Sequence, residues 1–144
     1  MRAVITRVLS ASVKIDEEVV SSIGKGFLVL LGVRNDDTEE KARKMADKIC
    51  GLRVFEDNEG RMNISPKDAG AELLIVSQFT LFADCSSRRP GFSLAAKPDL
   101  ANPLYELVVS ECRKAGFTVG TGRFGADMKV ASVNDGPVTI VLDI

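Results

Sequence analysis

The chain has 144 residues, 45% of them hydrophobic and 27% charged, with a formal net charge of -1. That is the balance of one soluble globular domain able to bury its own core, and near-neutrality argues against holding nucleic acid by bulk electrostatics. Histidine is absent, which excludes Ser-His-Asp and Cys-His catalysis and most zinc sites.

An enzyme built from this chain therefore works with carboxylates, lysine, hydroxyls, backbone dipoles or its own substrate, and neither a metal nor a cofactor is expected. Cys50, Cys85 and Cys112 are scattered and odd in number, so no disulfide framework is expected and a reducing compartment is the default. The opening "MRAVITRVLS" has no secretory apolar core, and no run reaches membrane-spanning length. The expectation is a cytoplasmic protein.

Residues 2–14, "RAVITRVLSASVK", alternate and are rich in Val, Ile and Thr, the pattern of a strand with one buried face. The acidic residues 16–18 read as a hairpin turn into "VVSSI". After "GKG" at 24–26, the continuous apolar run "FLVLLGV" at 27–33 belongs at the centre of a sheet. Asp37 followed by Glu40 has the spacing of a capping box, opening a helix to about Gly51 with Ala42, Met45, Ala46, Ile49 and Leu52 on one face. A short strand "RVF" and a polar turn come next. Residues 71–83, "AELLIVSQFTLFA", read as a core strand throughout.

The loop 84–101 is rich in small residues, prolines and positive charge. Asn102 as cap and Pro103 in the first turn predict a second helix to Ala115, closed by Gly116, with Leu104, Leu107, Val108 and Cys112 buried. The remainder reads as strands on either side of a turn "NDGP" at 134–137. There are no repeats and no linker. Residues 1–144 thus form a single α/β domain, a mixed sheet or two stacked sheets with helices on one side.

Three segments combine residues that carry chemistry. Ser77, Gln78 and Thr80 put polar side chains into an apolar strand, where they either bond to neighbouring backbone or face a cavity. Thr80 has no neighbouring base to activate it as a nucleophile. In "SSRRPGF", Arg88 and Arg89 precede a Pro-Gly turn, with Lys97 further along the loop. They read either as a solvated charge pair or as an arginine grip on phosphate. Gly136 and Pro137 form an ordinary tight turn or present their backbone to a ligand, which a residue without a Cβ allows. "GRFGADM" at 122–128 is either plain core or a pocket wall.

"SQFTL" at 77–81 and "NDGPVT" at 134–139, in that order and with matching flanks along the whole chain, resemble the two signatures of the D-aminoacyl-tRNA deacylase family. The resemblance implies two stacked mixed β-sheets with helices packed on one side, three layers in all, in a homodimer with active sites at the interface. It implies hydrolysis of the ester joining a D-amino acid, or mischarged glycine, to the 3′-terminal adenosine of tRNA.

By the same resemblance, Gly136-Pro137 is a cis pair that reaches into the partner's pocket, and Arg7 braces it. Ser77, Gln78 and Leu81 shape the pocket, the N–H groups near Phe79 and Thr80 form an oxyanion hole, and Phe79 meets the terminal adenosine. Phe124 and Met128 line the pocket. Charge alone points to Arg88, Arg89 and Lys97 for the tRNA acceptor end. Two alternatives stay open: an editing deacylase for L-alanyl-tRNA with a trans Gly-Pro bond, and a nucleic-acid-binding module on the same fold. The lack of a basic tail after the last strand weighs against the module.

Overall fold

A computed structural model describes all residues 1–144, and its organising element is strand β1, Arg2–Ile15. Along one edge β1 pairs antiparallel first with β3, Gly26–Gly32, and then with β2, Glu18–Ile23. Its other edge is taken by β8, Lys129–Asp143, antiparallel from end to end. Strand β6, Glu72–Ser77, adds parallel to β3, and β7, Val119–Thr121, adds parallel to β6. The order is β2-β1-β3-β6-β7 with β8 against β1. A hairpin of β4, Phe55–Glu56, and β5, Met62–Ile64, makes a separate small sheet. Asp16 and Glu17 turn β1 into β2 with φ of 47° and 67°, the left-handed backbone that two-residue hairpins require.

The central strands bury both faces, so their apolar residues sort by parity into two cores. Phe27, Val29, Leu31, Leu73 and Ile75 join the larger cluster, whereas Leu28, Leu74 and Val76 join the smaller. Strand β1 changes sides after Val8: odd-numbered Ala3 and Ile5 belong to the large core, but odd-numbered Ala11 and Val13 join Val8 in the small one. The pairing of β1 with β8 slips on either side of Val8, and a slip reverses which face a side chain meets. The far half of β1 and β2 thereby curls over the outer face, and β2 returns against β6 and β7. The stacking expected of two sheets is achieved largely within one continuous, curled sheet.

Both helices are crossovers between parallel strands and cover the same face. Helix α1, Glu39–Gly51, buries Ala42, Met45, Ala46 and Ile49. It starts at Thr38, not at Asp37: the Thr38 hydroxyl accepts from the Lys41 N–H at 3.4 Å. Asp37 is instead buried, its carboxylate 2.7 Å from the Met1 ammonium and accepting the Arg34 N–H at 2.7 Å.

Helix α2, Pro98–Lys114, begins four residues before the expected cap at Asn102. Pro98 takes its first turn and Pro103 lies inside. A proline in the opening turns removes few bonds, since the first N–H groups have no helical partner. Gly116, at φ 96°, ends the helix, donating to the Arg113 carbonyl at 2.9 Å while Phe117 donates to Cys112, the closure that a left-handed glycine permits.

Residues 134–137 do not reverse the chain. β8 continues through them and pairs with β1 on both sides, Thr6 opposite Thr139 and Val8 opposite Asn134. Five steps of β8 (134 to 139) therefore face two of β1 (6 to 8), and the extra residues bulge out. The Gly136-Pro137 peptide in this bulge is cis, and both residues are exposed.

Candidate active site

The core strand read over 71–83 ends at Ser77. The Gln78 N–H makes one last ladder bond, 2.9 Å to the Leu31 carbonyl, and the chain then enters a 3-10 turn, Phe79–Phe82. Gly32 makes room for that turn at the end of β3. A Cβ there would lie 3.0 Å from the Gln78 carbonyl and 3.1 Å from the Leu81 Cβ. Inside the turn the Gln78 amide donates to the Thr80 hydroxyl at 2.5 Å. Leu81 N–H reaches the Gln78 carbonyl at 3.4 Å, and Ala83 N–H reaches that of Thr80 at 3.1 Å. The N–H groups of Phe79 and Thr80, at the start of the turn, have no protein acceptor, as expected of the leading residues of a helical turn.

Above this turn lies a cavity of about 590 Å³. Ser77, Gln78 and Phe79 line it from β6 and the turn, and Phe124 and Met128 from the segment before β8. Sequence reasoning missed the opposite wall, which includes Phe92, Ala96 and Pro98. Phe92 meets Phe79 edge to face, with centroids 5.1 Å apart at 69°. Both rings are exposed, Phe79 at 53% and Phe92 at 37%, an arrangement that leaves aromatic surface open to a flat ligand. The "PGF" that carries Phe92 was the only available signal, and the neighbouring arginines masked it. Leu81 and Thr80 lie in the turn but do not line the cavity.

Arg88 and Arg89 sit on the loop beyond Phe79, and Lys97 immediately precedes α2. All three are exposed and none enters an ion pair. The loop is closed by two backbone bonds between Asp84 and Gly91, 2.8 and 2.9 Å. At its base the Ser86 N–H donates to the Asp84 carboxylate and holds that carboxyl below its usual range. None of the three cations lines the cavity.

Gly136 and Pro137 are likewise absent from this cavity within one chain. Their brace is in place, however. Arg7 is only 5% exposed, and its Nη1 donates to the Val54 carbonyl at 2.7 Å. Its Nε reaches the Asp135 carbonyl and carboxylate, each at 3.3 Å. Glu56 adds a longer ion pair at 3.7 Å. An exposed loop is thus tied from below to a buried cation.

Fold and site together define an α/β protein whose concave site lies at the carboxyl end of a parallel strand, where ligands of such sheets bind. The chain belongs to the D-Tyr-tRNA(Tyr) deacylase family, whose model matches residues 4–143. It is 56% identical over 144 residues to a D-aminoacyl-tRNA deacylase of Clostridioides difficile (strain 630), covering 99% of this chain and 97% of that protein. A D-aminoacyl-tRNA deacylase of Thermotoga petrophila is 53% identical, with the same coverage. Among solved structures, a c-Myc DNA Unwinding Element Binding Protein superposes with a TM-score of 0.95 at 41% identity, over 100% of this chain and 99% of that one. A "probable eukaryotic D-amino acid tRNA deacylase" shares the fold, with a TM-score of 0.85 at 19% identity over 99% and 98% of the two chains.

Proposed function

We propose that this protein is an ester hydrolase that releases D-amino acids, and mischarged glycine, from the 3′-terminal adenosine of tRNA in the cytoplasm. The carrying observation is the pair of unpartnered N–H groups at Phe79, which lines the cavity, and at Thr80, the next residue of the same turn, in a chain 56% identical to a D-aminoacyl-tRNA deacylase. Two donors aimed at a developing oxyanion lower the barrier to ester hydrolysis without any titrating side chain. The adenine lies against Phe79. The 2′-hydroxyl of the terminal ribose assists the attacking water, so the protein supplies position and electrostatics. The Thr80 hydroxyl is engaged by the Gln78 amide, a donor, and lacks a base to take its proton.

Chirality is read by a second copy of the chain. β8 is a long outer strand with exposed Val130, Val133 and Val141, the kind of edge and apolar surface that a partner covers. In the homodimer, Gly136 and Pro137 of one subunit enter the other's cavity, and their carbonyls hold the substrate ammonium. Rigid backbone then fills the space an L side chain needs, while D side chains point outward. Glycine passes because it has no side chain. Arg88, Arg89 and Lys97 grip the acceptor end.

The test is hydrolysis of matched D- and L-tyrosyl-tRNA by the purified protein. D-tyrosyl-tRNA should be cleaved and L-tyrosyl-tRNA spared. Equal cleavage of both ends the chiral reading, and a preference for L-alanyl-tRNA installs the editing alternative. The likeness to a DNA Unwinding Element Binding Protein favours one further reading, duplex DNA binding. Salt-sensitive binding of DNA without any deacylation would put that reading first.

A further inference from the structure

A second depression adjoins the cavity beside Gln78. Helix α2 brings Pro98 and Ala101 into the cavity. Further along α2, Asn102, Tyr105, Glu106, Ser110 and Arg113 face the second depression, of about 490 Å³. Asn102, Glu106, Ser110 and Arg113 recur every three or four residues, one stripe of a helix surface, with Tyr105 beside it. Residues 121–124 wall the second depression from the other side, and Phe124 borders both. Meeting at Phe124, the two depressions follow α2 in succession, an apolar half of the trough at the start of the helix and a polar half toward its end.

The polar half carries two guanidinium groups, Arg113 from α2 and Arg123 from the segment after β7. Arg113 is held in place, its Nη2 donating to the Val119 carbonyl at 3.0 Å, which leaves its other N–H groups for a ligand. Neither arginine forms an ion pair, and neither does Glu106 across the same depression. Two positive groups against one negative leave a net +1 in this part of the trough, on a chain whose total is -1. The buried Tyr105 phenol feels both Arg113 and Glu106. Burial pushes it up to about 12, while Arg113 pulls it down and Glu106 raises it.

We propose that this polar half carries the phosphodiester backbone of the single-stranded 3′ end of the substrate tRNA, with Arg123 and Arg113 on the phosphates next to the terminal nucleotide held in the cavity. The inference rests on the deacylase reading and extends it: the grip on RNA runs along α2, not only through the loop of Arg88 and Arg89. Arginine suits the task because its fork meets phosphate oxygens in pairs. Asn102, Ser110 and Thr121 supply neutral partners along the same wall.

The experiment compares D-tyrosyl-tRNA with a D-tyrosyl ester of adenosine alone, which is too short to reach the polar half. Arg123→Ala should lower kcat/KM on the tRNA about tenfold, mainly through KM, and leave the small ester within about twofold. Its log-log salt slope should flatten by about 0.7, the contribution of one single-strand phosphate. Arg123→Lys should restore part of the loss. Glu106→Gln, which removes the opposing charge, should improve tRNA cleavage at low salt. An unchanged rate on tRNA in Arg123→Ala, or an equal loss on both substrates, overturns the proposal. Failure of the unaltered protein to cleave either substrate overturns the deacylase reading itself.

Discussion

The guanidinium of Arg7 is buried in the first strand yet holds the Val54 carbonyl and both the carbonyl and carboxylate of Asp135. Replacing it leaves those acceptors without a partner, one of them at a buried bond, and unpaired buried groups are costly. Arg7→Met should therefore lower stability by about 2 kcal/mol, read as a lower urea midpoint, and should also release the Gly136-Pro137 bulge and depress activity. An unchanged midpoint would show that the brace carries no energy. Gly136 is constrained from the same side. Its φ is 119°, and a Cβ would lie 2.9 Å from the Val138 Cγ2 and 3.0 Å from the Arg7 Nη2. Thr80→Ala, by contrast, should keep kcat/KM within about tenfold, since it loses one hydrogen bond and no nucleophile. Near-total loss in that variant would transfer the chemistry to Thr80. At this scale the sequence was informative where residues are neighbours. Ser77, Gln78 and Phe79 were legible as a unit, and Phe124 and Met128 meet them in the cavity. Phe92 was not legible, because an aromatic in a loop has no periodicity to mark it as a wall.

Among the elements, β3 and β6 carry the most stringent requirement. Gly26 pairs with Glu72, and a Cβ on Gly26 would sit 1.8 Å from the Glu72 carbonyl oxygen. Backbone cannot step aside without breaking the parallel ladder, so Gly26→Ala should cost about 3 kcal/mol or more, seen as loss of soluble folded protein or a sharply lower melting temperature. A variant as stable as the parent would mean the ladder starts later than Gly26. The apolar runs of these strands were readable from composition because both faces are buried. Three boundaries were not. Asp37 looked like a helix cap, but burial against the Met1 ammonium claimed its carboxylate and left Thr38 to cap α1. Pro98 rather than Asn102 opens α2, because a proline is tolerated in either of the first two turns and sequence does not choose between them. β6 stops at Ser77 although the apolar run continues, since the end of β3 at Gly32 lets the chain fold down.

The whole molecule turns on β8. A 15-residue outer strand with exposed Val130, Val133 and Val141 is long for an unpartnered edge. In the proposed homodimer this strand and its bulge carry Gly136 and Pro137 into the neighbouring cavity. Val133→Lys should therefore shift the protein to the mass of one chain by light scattering and abolish deacylation while leaving the circular dichroism spectrum unchanged. A Val133→Lys protein that is monomeric and fully active would refute the shared site. Composition and local pattern determined the elements: alternation marks strands, three-four spacing marks helices, and the missing histidine ruled out whole classes of mechanism. Two short motifs carried the family. Only the tertiary structure decided that "NDGP" bulges out of a strand instead of ending one. That outcome depends on β1 pairing with β8 on both sides of the bulge, a contact between residues some 130 positions apart. The trough along α2 is also a product of packing, here between near neighbours in the chain, because a helix stripe becomes a groove only when residues 121–124 fold back opposite it.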